Sequence, residues 1–233
     1  MRVLGVIPAR GGSKGVRKKN IRIVAGEPLI AYSIKAAKES KMLDDFVVST
    51  DDPEIERISR DYGAFVIPRP AEIATDDAPV YKAVLHAIDV MSKHSGKTFD
   101  AAVLLQPTSP IRRGADIDMA IKILSDENVD CVISVCLMDD VHPARMYQID
   151  NGGFLKSLWG EFEKVRRQDL PPVYYRNGAI YAIKIDVLKQ EKSFMCKRKK
   201  PLIMPVQWMV NIDNERDLII ADVMVKLWKE GKL

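Results

Sequence analysis

Three cysteines and three histidines in 233 residues leave little material for a disulfide framework or a histidine-rich metal site. Cys131, Cys136 and Cys196 form neither an even set nor a C-x-x-C pair, which argues against a zinc ribbon and fits a reducing cytosol. Cys131 and Cys136, five positions apart in one predicted strand, are expected on opposite faces. His86, His94 and His142 fall at no metal-like spacing, and neither a Ser-His-Asp set nor a pair of glutamates can be read for acid–base chemistry. No apolar run reaches membrane-spanning length and no basic-then-apolar leader opens the chain, so the expectation is a soluble, cytoplasmic protein without membrane partners. Charge of one sign is also lacking. Thirty-six Lys and Arg against thirty-two Asp and Glu leave +4, too balanced for duplex nucleic acid as a main partner. Internal repeats, low-complexity tracts, G-x-G-x-x-G and G-x-x-x-x-G-K-[ST] are all missing, so neither a dinucleotide site nor a Walker loop is supported.

What the chain does have is concentrated in MRVLGVIPARGGSKGVRKKN. Val3, Leu4, Val6 and Ile7 form an apolar run of the kind buried on both faces of a parallel sheet. Pro8 ends it. Gly11, Gly12 and Gly15 follow, free to take positive φ and to bring main-chain N–H groups close to a ligand. Arg10, Lys14, Arg17, Lys18 and Lys19 add positive charge, and a loop of this composition at the carboxyl end of a first strand suits a polyphosphate.

Downstream, strand and helix patterns alternate. A helix from Glu27–Pro28 to Ser40 buries Leu29, Tyr32 and Ala36; a strand spans 46–50; Asp51-Asp52-Pro53 caps a helix 54–62, which explains both aspartates more simply than a metal motif. A strand at 64–67, a helix at 80–92, a strand at 101–105, a helix at 115–124 and a strand at 129–135 complete the pattern. It predicts an α/β fold: a mostly parallel, doubly wound sheet with helices on both faces, in one domain over 1–233. Residues 138–176 break the alternation and read as an insertion with a β-hairpin near 147–158. Its large apolar side chains, Tyr147, Phe154, Leu158, Trp159 and Phe162, need cover, and a second copy would supply it. Lys197 to Lys200 reads as a solvated loop. Met209 to Asp213 reads as a short strand presenting Asn211 and Asp213 on one face, although Asp213 or Asn214 can equally serve to cap the helix that follows.

Ile7-Pro8-Ala9-Arg10-Gly11-Gly12-Ser13-Lys14-Gly15 with Lys19-Asn20, Leu-Gln106-Pro-Thr108-Ser109-Pro-Ile-Arg112, Asn177-Gly178-Ala179-Ile180-Tyr181 and Asn211-Ile212-Asp213 resemble, in order, the signatures of the acylneuraminate cytidylyltransferases. The resemblance implies a nucleotidyltransferase-like fold. It also implies transfer of CMP from CTP to the anomeric hydroxyl of a nine-carbon acidic sugar, with Mg2+ as cofactor and pyrophosphate released. By that match Ala9, Arg10, Gly11, Gly12, Ser13, Lys14, Lys19, Asn20 and Arg69 would bind the nucleotide, with Arg10, Lys19 and Asp213 catalytic. Gln106, Thr108, Ser109, Arg167, Tyr181 and Phe194 would bind the sugar, and the 138–176 element would make a homodimer in which Arg167 and Arg145 face the partner's site. The family's metal motif is Asp-x-Asp; here Asn211 replaces the first carboxylate, leaving Asp213 as principal ligand with Asn211 beside it. Legionaminate, pseudaminate or 3-deoxy-octulosonate as acceptor, or a non-catalytic nucleotide sensor, are the alternatives.

Overall fold

The computed structural model describes residues 1–13 and 15–233; Lys14 lies outside them. In chain order the elements are β1 (Val3–Pro8), a two-residue antiparallel pair β2 (Ile23–Val24) and β3 (Glu27–Pro28), α1 (Leu29–Glu39), β4 (Asp45–Thr50), α2 (Pro53–Asp61), β5 (Phe65–Pro68), α3 (Val80–Ser95), β6 (Ala101–Leu104) and α4 (Gly114–Leu124). Then come β7 (Cys131–Met138), a hairpin of β8 (Tyr147–Ile149) and β9 (Leu155–Ser157), β10 (Val173–Lys184), α5 (Ile185–Glu191), β11 (Lys199–Ile203) and α6 (Glu215–Lys229). Seven strands form one sheet in the order β11-β7-β10-β6-β1-β4-β5, parallel except for β10, which runs against both its neighbours.

Strand alternation sorts side chains into two cores. Val3, Ile7, Val48, Val103 and Val132 face α1, α4 and α6, where Leu29, Ile30, Ile117, Ile121 and Val225 meet them. Leu4, Val6, Val47, Leu104 and Ile183 face α3 and α5, against Val84, Ile88, Met91 and Leu188. Each fully buried branched side chain contributes about 1.5–3 kcal/mol, so the two layers hold the sheet as a rigid platform. Cys136 joins the first core and Cys131 the second, on opposite faces as their spacing requires.

Several boundaries differ from the sequence expectation. Glu27–Pro28 pairs as β3 instead of opening α1, because Pro28 sits extended as the cap residue. Pairing of β7 with β10 runs out to Val173↔Met138, so residues 173–176 belong to the sheet and the excursion proper covers 139–172. Lys199 and Lys200 are in edge strand β11 and not in a loop, their chain drawn into register with Cys131 and Val132. Residues 209–213 form no strand: the segment follows a 3-10 turn at Val206–Trp208, and its Ile212 N–H reaches the Thr108 carbonyl (2.9 Å) where a sheet ladder was expected. The cysteine expectation is corrected as well, since Cys131 and Cys196 are brought together as a disulfide pair with Cα atoms 6.4 Å apart. Five residues of β11 lie in register with β7, and that pairing carries the segment before β11 to the start of β7, a proximity that sequence spacing does not show.

Candidate active site

Parallel strands in an open α/β sheet deliver their loops to a common edge. Here Pro8, Thr50, Pro68 and Leu104 end β1, β4, β5 and β6 on that edge, and the loops after β1, β5 and β6 wall a cavity of about 400 Å3. Arg10, Ser13, Lys19, Asn20, Arg69, Gln106, Thr108 and Asp213 line it, which gathers most of the predicted nucleotide residues and the predicted metal ligand around one space.

The glycines of the first loop work by closeness. None of Gly11, Gly12 and Gly15 has a positive φ, contrary to the freedom their composition suggested; among the described residues of the loop the left-handed one is Lys18 (φ 54°). A Cβ on Gly15 would overlap the Asp213 carbonyl oxygen, and one on Gly11 would press on the Asp52 side chain at 2.7 Å. The loop therefore packs directly on the chain that carries Asp213. Two of its amides are spent internally: Ala9 N–H donates to the Ser49 carbonyl (3.0 Å) and Gly11 N–H to Asp51 Oδ1 (2.9 Å). Among the described residues, the N–H groups of Gly12 and Ser13 have no such partner and stand open to an anion. Asp51 thus braces the loop, and only Asp52 caps α2, accepting from Glu54 and Ile55 N–H.

Lys19 Nζ donates to the Ile212 carbonyl (2.7 Å), 193 positions away, and lies 3.6 Å from Asp213 Oδ1, tying the amino-terminal loop to the far end of the chain. Asn20 Nδ2 donates to the Arg10 carbonyl (2.9 Å). Arg69 is buried, its guanidinium donating to Ser49 Oγ (3.2 Å) and the Ser49 carbonyl (2.6 Å). Burial pulls its pKa down to about 10 against the opposing attraction of Asp51. Asn214, not Asp213, caps α6, in a capping box with Asp217, so the Asp213 carboxylate is left for the cavity. Asn211 presents its amide nitrogen to that carboxylate: Nδ2 donates to Asp213 Oδ2 (2.5 Å), while Oδ1 lies 3.4 Å from Ser109 Oγ.

A second cavity, of about 610 Å3, adjoins the first and has Ile133, Val135 and Tyr181 on the sheet, with Gln106, Arg176 and Asn211 around it. A smaller one of about 280 Å3 adds Phe194, whose ring meets Tyr181 edge-on at 5.9 Å. Gln106 lines all three. The predicted sugar residues Gln106, Tyr181 and Phe194 thus converge. Thr108 instead lines the first cavity, and Ser109 is buried with its hydroxyl donated to the Asn177 carbonyl (3.0 Å), so it holds the wall and does not line any of the three spaces. Burial raises the Tyr181 phenol pKa, with Arg176 opposing the rise. The remaining predicted arginines lie in the excursion. Arg167 pairs with Asp140 (2.7 Å) beside a separate cavity, while the exposed Arg145 has its guanidinium donating to the carbonyls of Glu163 (2.7 Å), Phe162 (3.3 Å) and Val165 within the same excursion.

Four contributors carried no role in the sequence reading. Arg112 is wholly buried and donates to the carbonyls of Gln106 and Ser109 and to Ser33 Oγ (3.0 Å), with burial lowering its pKa to about 9. A cation set between Pro110-Ile111 and a helix start was the available signal. Asn177 accepts from Ser134 Oγ (2.6 Å) and Ala179 N–H (3.2 Å), fixing the irregularity in β10 where Gly178 takes φ 77°. Asp76 pairs with Arg10 at 2.6 Å, and Arg176 stands at the rim of the larger cavity. No local pattern marked either.

A family model for cytidylyltransferases matches residues 4–216. The chain is 35% identical over 221 residues to an N-acylneuraminate cytidylyltransferase of Streptococcus agalactiae serotype III, a match covering 94% of this chain and 52% of that protein. The chain therefore spans about half the length of that relative. It is also 35% identical over 240 residues to a CMP-N,N'-diacetyllegionaminic acid synthase of Legionella pneumophila, covering 99% of both chains. Among solved structures, a CMP:2-keto-3-deoxy-manno-octonic acid synthetase complexed with CTP superposes with a TM-score of 0.71 at 18% identity, over 99% of this chain and all of the other, which supports the fold alone. With a family match running nearly end to end and full-length similarity at this level, the chain belongs to the cytidylyltransferase family.

Proposed function

We propose that this protein activates a nine-carbon acidic sugar, an N-acylneuraminate or a close analogue, by transferring CMP from CTP to its anomeric hydroxyl with release of pyrophosphate. The observation that carries the reading is Gln106, which lines both the cationic cavity and the cavity over Ile133 and Tyr181. A triphosphate in the first and a sugar in the second meet at that residue. The hydroxyl would attack the α-phosphorus in line, its proton passing to water, an O–P bond forming as the bond from the α-phosphorus to the β-phosphate oxygen breaks. Proximity and charge neutralisation are what the protein must supply. Gly12 and Ser13 N–H groups with Arg10 and Lys19 would hold the phosphates, and Asn20 and Arg69 the cytidine end. Asp213 would hold Mg2+, which neutralises the leaving pyrophosphate; one carboxylate plus phosphate oxygens suits this cation. Asn211, with its nitrogen on Asp213, would orient that carboxylate and not ligate the metal itself.

The excursion exposes Tyr147, Ile149, Phe154 and Leu155, a surface suited to a second copy, and in such a homodimer Arg167 would reach the neighbouring site. No helix is long and apolar enough to cross a membrane among the described residues. CTP as substrate favours the cytoplasm. The full-length match to the Legionella protein gives legionaminate a specific claim as acceptor. Pyrophosphate release measured with CTP, Mg2+ and a panel comprising N-acetylneuraminate, legionaminate, pseudaminate and 3-deoxy-octulosonate tests the reading. Turnover with a nine-carbon acid is expected; CTP binding without turnover on any acid would overturn it in favour of a nucleotide sensor.

A further inference from the structure

Three cations line the larger cavity, and two are already engaged: Lys200 Nζ pairs with Asp126 (2.8 Å) and Lys199 Nζ donates to the Cys196 carbonyl (3.0 Å). Arg176 is different. Among the described residues its guanidinium meets no carboxylate and no carbonyl; its one hydrogen-bond partner is Met195 Sδ at 3.1 Å, a weak acceptor. Arg176 is in register with Val135, as Tyr181 is with Ile133, so its side chain leaves the sheet on the face that floors the cavity. Arg176, Gln106, Tyr181 and Met195 are shared by the larger cavity and the smaller one beside it.

We propose that Arg176 receives the carboxylate of the acidic sugar and so makes this site select for an acid. The inference rests on the acidic-sugar reading above. In a 2-keto acid sugar the carboxylate is attached to the anomeric carbon, hence it must lie close to the hydroxyl that meets the nucleotide at Gln106. The irregularity in β10 puts Arg176 there: a Cβ at Gly178, two positions on, would sit 3.5 Å from Gln106 Oε1. A planar guanidinium matches a carboxylate with two parallel N–H donors, and the apolar floor of Ile133 and Val135 offers that charge no alternative partner. Arg167, the arginine to which the sequence resemblance gives this kind of role, is paired with Asp140 in the same protomer.

Titration calorimetry of the Mg2+- and CDP-loaded protein with N-acetylneuraminate and its C1 methyl ester tests the assignment, alongside steady-state kinetics with the best acid of the panel. Arg176→Gln should weaken the acid about ten- to hundredfold, the worth of a charge-assisted pair, while the ester and CTP change less than twofold. Its KM for sugar should rise with kcat little altered. Arg176→Lys should fall between, keeping charge and losing the fork. Equal losses for acid and ester, a parallel loss for CTP, or unaltered acid affinity would each overturn it. Unaltered affinity with normal turnover sinks the Arg176 assignment alone. Acid binding that depends on Arg176 without turnover sinks the transferase reading alone, and a wild type that binds no acid sinks both.

Discussion

The Asp76 carboxylate lies 2.6 Å from the Arg10 guanidinium, both partly buried, inside the cavity assigned to the triphosphate. An incoming phosphate competes with that carboxylate for the same donor and is repelled by its charge. A partly exposed pair of this kind contributes up to about 1 kcal/mol. Asp76→Asn should therefore tighten CTP binding up to about fivefold, the gain shrinking as salt is raised. Calorimetry at two ionic strengths checks this; weaker binding would show that Asp76 supports the nucleotide.

Gly15 has no space for a side chain, because the Asp213 carbonyl occupies the place of a Cβ. Gly15→Ala should force the phosphate loop and the Asp213 segment apart. The expected result is a KM for CTP raised more than tenfold with a stability loss of about 1–3 kcal/mol. Normal CTP kinetics would mean that the contact between the two segments is dispensable.

Asn211 donates to Asp213, so replacing it by aspartate puts two carboxylates in hydrogen-bonding contact. Without metal, like charges at this separation repel. Asn211→Asp should melt at a lower temperature in EDTA, recover on adding Mg2+, and need less Mg2+ for half-maximal activity. A melting temperature indifferent to Mg2+ would remove the metal from this corner of the cavity.

Arg112 satisfies two carbonyls of the loop that presents Gln106. Arg112→Met leaves the Ser109 carbonyl without a donor and the Gln106 carbonyl with only the Ser109 N–H (3.3 Å), so chemical denaturation should report a loss of about 1–3 kcal/mol together with a higher sugar KM. Arg112→Lys should restore little, since one ammonium lacks the guanidinium fork.

The sheet was legible because apolar runs such as Val3–Ile7 and Ala101–Leu104 carry their own signal, and Asp52-Pro53 and Asn214 mark helix starts by local chemistry. The convergence of Arg10, Lys19 and Gln106 on one cavity followed from motifs in the loops after β1 and β6, and Asp213 joins them from a segment that is no strand. What escaped the sequence was long-range: the reversed direction of β10, the meeting of Cys131 with Cys196, and the Asp51 bond to Gly11 each depend on which strands are neighbours. The 209–213 segment misled for a related reason. Its alternation resembles a strand, but no strand is beside it to complete a ladder, and Thr108 supplies a single bond.

The contour of the wall beside Tyr181 is stored out of reach of solvent, in the linkage of Ser134, Asn177 and Ala179 beneath it. Residues that line the open space, such as Tyr174 and Met195, take no part in that linkage. Exchanging them leaves the scaffold intact, which gives a lineage a low-cost way to trade one acceptor for another while the chemistry at the neighbouring phosphate loop stays as it was.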